Sequence, residues 1–127
     1  MLADLLREGM TALCAHTNLD KAAGGVNDVL AKSLGLKCVQ IPTGEEGAFL
    51  RLGELPQPLL PKEFARYVKE KLHCQGVRLV EGEKPVQTVA LCCGSGGSFL
   101  SYARKLGADA LVTGDVKHDI AVAAQNA

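Results

Sequence analysis

Aromatic residues make up only 4% of the 127 residues, and they form no stacking motif. Neither sign of charge prevails, since 14 Lys and Arg balance 14 Asp and Glu. Without a basic field the chain has little to neutralise a phosphate backbone, so nucleic acid is not an expected partner. Long apolar runs are missing too. None reaches the roughly 20 residues of a membrane-spanning helix, and Met1-Leu2-Ala3-Asp4 lacks the basic start of a secretory signal. A membrane is therefore not an expected partner either. No two of the cysteines, Cys14, Cys38, Cys74, Cys92 and Cys93, have CxxC spacing, and their number is odd. They read as reduced, core-packing thiols of a cytoplasmic protein, with a cysteine metal site as the alternative. Cys14, Cys92 and Cys93 lie in apolar, strand-like runs. At least two of those three are expected to be buried, and none to be disulfide-bonded.

What is present suits one domain. The hydrophobic share of 47% and charged share of 22% are ordinary for a globular chain that can close a core. No repeat, low-complexity tract or linker divides residues 1–127. Leu2, Leu5, Leu6 and Met10 predict a helix over 2–8, stopped at Gly9. Residues 11–15 predict a buried strand. Val26, Val29, Leu30 and Leu34 form a helical stripe closed by Gly35. A strand over 36–41 and a loop follow. Residues 49–53 predict a short strand, and Pro56, Pro58 and Pro61 an extended connector, Pro61 suiting the first turn of a helix over about 62–72. Residues 77–81 alternate like a half-buried strand. Val86 to Cys92 is the clearest core strand. A glycine-rich loop, a helix carrying Phe99, Leu100, Ala103 and Leu106, a short strand from Ala110 to Thr113 and a helix around Ile120, Ala121 and Ala124 complete the chain. Strands alternating with helices predict an α/β layered fold.

Chemistry-bearing residues gather after the strand-like runs. Ala15-His16-Thr17-Asn18-Leu19-Asp20 is followed by Gly24-Gly25-Val26-Asn27-Asp28. Ligands bind at the carboxyl rim of open α/β sheets, and His and Asp are metal-ligating types. Taken from the residues alone, Asp20 reads first as a helix cap, and His16 as a strand-end histidine bonded to backbone. Gly94-Ser95-Gly96-Gly97-Ser98 lies between a strand and a helix. That setting suits either an anion held by backbone N–H groups or a tight turn with positive φ. It is no dinucleotide fingerprint, because Phe99 stands where the third glycine belongs. Thr113-Gly114-Asp115-Val116-Lys117-His118-Asp119 is a second titratable cluster. Asp115 and Lys117 could form a surface pair of little worth, and His118 is either a residue beginning a helix or a general acid–base. His73 reads as solvated.

These three stretches, in this order, resemble the NIF-three-like family, also known as GTP cyclohydrolase 1 type 2 homologues. The resemblance implies a mixed sheet with helices on its faces, in a protein of two similar lobes that forms ring-like homo-oligomers. It implies a centre of two divalent metal ions, for which Asp20 matches a ligand, with His16 and Asn18 beside it. It also implies a small anionic substrate, hydrolysed in a cleft that Gly94, Ser95, Gly96, Gly97, Thr113 and Lys117 face, with His118 as candidate acid–base. A non-catalytic scaffold or interaction module is the alternative. The family pattern has a His-His pair before the Asp20 motif and a later His and Glu that this sequence does not contain. The expectation is therefore a partial chain, covering the middle to late part of a typical member. Asp20, residues 94–97 and residues 113–118 are expected on one rim.

Overall fold

The computed structural model describes residues 2–125. In order come helices α1 (Leu2–Arg7), α2 (Thr17–Lys21) and α3 (Val26–Ser33) and strand β1 (Lys37–Gln40). A 3-10 turn (Gly47–Phe49) leads into β2 (Arg51–Leu59), and α4 (Pro61–Lys71) and β3 (Val86–Cys92) follow. A second 3-10 turn (Gly97–Phe99) runs into α5 (Leu100–Lys105), then β4 (Ala110–Thr113) and α6 (His118–Gln125). The four strands form one mixed sheet in the order β1-β2-β3-β4. The first two pairings are antiparallel; β3 and β4 run parallel, Cys92 beside Thr113. Their carboxyl ends therefore open on the same edge. The fold is the α/β class read from the sequence.

The core joins the sheet to α3 and α4. Ala31, Leu34, Leu36, Leu55, Phe64, Val68, Val86, Val89 and Leu91 are its buried members. Pro61 opens α4, where a missing N–H costs nothing. The Glu63 carboxylate accepts the Leu60 N–H at 3.1 Å, and the Tyr67 hydroxyl donates to the Leu34 carbonyl at 2.7 Å, locking α4 to the end of α3. The carboxylate of Asp109 accepts the N–H groups of Gln87 and Thr88 at 3.0 and 2.8 Å, which anchors the start of β4 to β3.

Four expectations need correction. Residues 11–15 form no strand. They lie in irregular chain, and Leu13 is 95% exposed. An apolar run becomes a strand only beside a partner edge, and this run has no ladder bonds among the described residues. Residues 77–81 are likewise irregular. Pro56 and Pro58 belong to β2 rather than to a connector. They are tolerated because β1 pairs no further than Glu54 and the β2–β3 register slips between Glu54 and Leu59. Of the three strand-like cysteines only Cys92 is buried; Cys93 is half-buried and Cys14 exposed. All five are free thiols.

An ion pair between a buried arginine and a half-buried aspartate fixes the region before the sheet. Arg51, fully buried at the start of β2, donates through Nε to the Asp28 carboxylate on α3. Its remaining donors reach the carbonyls of Leu50 at 2.9 Å, Ala22 at 3.1 Å, Ala48 at 3.3 Å and Lys21 at 3.4 Å. The Arg51 hydrogen bond, aided by the Gly24 N–H and the guanidinium charge and opposed by partial burial, holds the Asp28 carboxyl below its ordinary value. A depressed folded-state pKa gives stability that is complete above the unfolded-state value and lost as pH falls through the folded one. Asp28→Asn strands a buried guanidinium charge, and we expect it to cost about 3 kcal/mol. Urea unfolding across pH should show wild type losing stability as pH falls through and below the ordinary carboxylate range, with a flatter acid limb in Asp28→Asn. Parallel acid limbs would mean that the pair contributes no linkage.

Candidate functional site

The rim is built around Asn27. This residue of α3 is fully buried, yet all its polar atoms are paired. Its amide donates to the carbonyls of Asp20 and Phe49, each at 3.0 Å, and its Oδ1 accepts the Cys93 N–H at 2.7 Å. One side chain thus ties α2, the first 3-10 turn and the end of β3 together. Asp20, half-buried near the end of α2, faces the same junction: its Oδ1 accepts the Cys93 thiol at 3.0 Å. Burial is the main force pushing the Cys93 thiol up to about 12, followed by the hydrogen bond to Asp20 and the charge of Asp20. Cys92 is raised as well, by burial and then by the charge of Asp20.

Glycines let the strand-end loops approach each other. Gly94 takes φ of +64°, a region other residues avoid. Its carbonyl accepts the Thr113 hydroxyl at 2.9 Å, the Gly114 N–H at 2.9 Å and the Asp115 N–H at 3.0 Å. The Gly96 N–H returns to Thr113 Oγ1 at 2.8 Å. A Cβ on Gly96 would stand 2.7 Å from the Cys92 Cβ and 2.8 Å from Thr113 Oγ1, so only glycine fits. Residues 94–97 and 113–115 therefore act as one braced unit.

Asp20, through Cys93, and the paired loops after β3 and β4 lie together at one edge. The motif residues are placed differently from the strand-end reading. Thr17, Asn18 and Asp20 sit on the short helix α2, and His16 precedes it. Asn18 Oδ1 accepts the N–H of His16 at 2.9 Å, and the His16 carbonyl accepts the N–H groups of Leu19 and Asp20, so this local turn sets the course of α2. His16 is exposed, Lys117 is exposed, and His118 is the exposed first residue of α6. Thr113 donates and accepts within the loop brace. Ser95 is exposed, while Gly97 is buried with Ile120 3.1 Å from where its Cβ would be.

Asp20 offers a carboxylate suited to a divalent ion, but no group of three or more His, Cys, Asp or Glu able to hold a metal exists among the described residues. Also among the described residues, no helix is long and apolar enough to cross a membrane. The sequence reading named Asn27 only as part of a motif and Cys93 only as a core thiol, and it missed Arg51. Their signals were faint: an Asn-Asp pair opening an apolar helix, and one arginine inside Phe49-Leu50-Arg51-Leu52.

A mixed α/β lobe with its conspicuous motifs gathered at the carboxyl ends of two parallel strands defines the class. The whole chain, residues 1–127, matches the family described as Duf34/NIF3 (NGG1p interacting factor 3). It is 34% identical over 125 residues to a Streptococcus pneumoniae protein named GTP cyclohydrolase 1 type 2 homolog, an alignment covering 93% of this chain and 47% of that one. It is 37% identical over 123 residues to the Streptomyces coelicolor protein of the same name, covering 90% and 43%. The solved structure of the protein ybgI superposes with a TM-score of 0.80 at 31% identity, over 98% of this chain and 50% of the other. This chain belongs to the DUF34/NIF3 family. It spans about half the length of the curated relatives it matches.

The Cys93–Asp20 contact has a direct chemical readout. In the native protein at pH 8, a disulfide reagent should modify the exposed Cys14 and Cys38 while Cys93 stays unreacted. Asp20→Asn removes the charge that opposes ionisation and should speed Cys93 modification by about tenfold, read by mass spectrometry. Equal native rates at Cys93 and Cys14 would contradict the contact.

Proposed function

We propose that this chain carries part of the site of a divalent-metal-binding protein, a metal-dependent hydrolase of a nucleotide-like or other anionic small molecule. The observation that carries the reading is the convergence of Asp20 with the loops after β3 and β4. Membership of a family whose relatives are named GTP cyclohydrolase 1 type 2 homologs supports it. Asp20 is the metal ligand contributed by this chain, and His16 and Asn18 flank it. Because Gly94, Gly96 and Thr113 bond one another, they shape the loop, and the anionic group is received by the amides of Ser95 and Gly97 with the Lys117 ammonium. His118 moves a proton at the substrate. The metal would polarise a bound water or substrate oxygen when held.

Ligand count makes the reading testable. One carboxylate cannot hold a catalytic ion, which takes about three protein ligands. Calorimetric titration of Mn²⁺ or Zn²⁺ into the 127-residue chain should show weak binding that Asp20→Ala removes. Tight stoichiometric binding, or binding indifferent to Asp20→Ala, would place the ligands elsewhere.

A second reading, a non-catalytic oligomeric scaffold, has its own support. Leu6, Met10 and Leu13 are 76%, 61% and 95% exposed on α1 and the segment after it. Exposed apolar surface of this kind marks contact sites. Light scattering should show self-association that the combined Leu6→Ser, Met10→Ser and Leu13→Ser variant abolishes. A wild-type chain that stays monomeric at every concentration removes the reading.

A further inference from the structure

The chain holds three phenylalanines, and the fold treats them unequally. Phe64 lies in the core at 5% exposure. Phe49 and Phe99 are only half-buried, each at the end of a 3-10 turn, and their rings stack with centroids 5.5 Å apart and planes at 27°. The Lys21 ammonium stands 4.2 Å over the Phe49 ring. All three residues adjoin the rim: Lys21 follows Asp20, Asn27 holds the Phe49 carbonyl, and Phe99 ends the turn that begins in the glycine loop. Both turns have a backbone closure of their own, Leu50 N–H to the Gly47 carbonyl at 2.9 Å and Phe99 N–H to the Gly96 carbonyl at 3.0 Å. What two aromatic rings add over aliphatic side chains is a π-face, which stacks with flat rings and attracts cations. Lys21 is exposed, and an exposed cation–π contact is weak enough for the ammonium to swing to an anion.

We infer that Phe49, Phe99 and Lys21 form a subsite for a planar aromatic ring that carries an anionic group. The ring stacks on the phenylalanine pair, and the ammonium leaves the Phe49 face to meet the anion. The inference rests on the anionic-substrate reading above and narrows it to ring-bearing anions, with aliphatic phosphates as poor ligands.

Guanosine 5′-monophosphate and ribose 5-phosphate, which differ by the ring, separate the two statements. Each is titrated into the metal-free 127-residue chain and followed by amide chemical shifts. The nucleotide should bind about tenfold tighter. Phe99→Leu keeps apolar bulk and should bring that ratio toward one without weakening ribose 5-phosphate. Lys21→Met should weaken both probes. Should Phe99→Leu fail to fold, nuclear Overhauser contacts between nucleobase protons and the Phe49 and Phe99 rings in wild type decide the matter, and their absence overturns the inference. Equal affinity for the two probes, or an unchanged ratio in folded Phe99→Leu, also overturns it while leaving the anionic-substrate reading standing. Binding of neither probe overturns both.

Discussion

The Arg51–Asp28 pair is the constraint on which the rim depends. A guanidinium buried at the start of a central strand is costly to desolvate and is kept only if its donors are met. Here the donors meet the Asp28 carboxylate and four carbonyls, those of Lys21, Ala22, Ala48 and Leu50. Those partners come from the end of α2, the link to α3 and the turn before β2. The consequence for Asp20 is direct. Helix α2 has five residues, no side-chain cap and no buried residue, so neither propensity nor packing would hold it alone. It stands where it does because Arg51 holds its carboxyl end and Asn27 holds the carbonyl of Asp20. The carboxylate is placed by polar contacts reaching across the sequence, and Cys93 then meets it from the end of β3.

Local signals were legible where they were dense. The apolar run Val86–Cys92 and the shorter Ala110–Thr113 became strands with those bounds, and the Pro61-headed stripe of Phe64 and Val68 became α4. Residues 11–15 carried an equally apolar pattern yet remain irregular, because period and propensity describe a side a strand would bury, while strand formation needs a neighbour to supply its hydrogen bonds. Helix α2 and the two 3-10 turns were illegible for the opposite reason. Their sequences are weak, and their supports are remote: Asn27 to Cys93 spans 66 positions and Asp20 to Cys93 spans 73. The family motifs named residues that the fold brings to one edge, but said nothing of how that edge is held. Asn27 and Asp28, read as part of a signature, are its two principal braces.

The glycine-rich loop shows how one sequence feature supports two physical accounts, and how geometry divides them by residue. Gly94 is demanded by a left-handed φ and Gly96 by the approach of Cys92 and Thr113. Both requirements arise inside the protein, before any ligand is considered. The Thr113 hydroxyl, which looked like a ligand contact, instead closes the loop by donating to Gly94 and accepting from Gly96. The internal packing of the loop is thus a sufficient reason for Gly94, Gly96 and Thr113. This packing has a structural use. A loop already braced to the next strand end is pre-organised, so little ordering entropy remains to be lost when a ligand arrives. The same brace couples the loop after β3 to the loop after β4, and through Cys93 to Asp20. A carboxylate and two strand-end loops that are far apart in sequence are thus joined by hydrogen bonds along one edge, and the helix that carries the carboxylate is held in turn by a buried arginine.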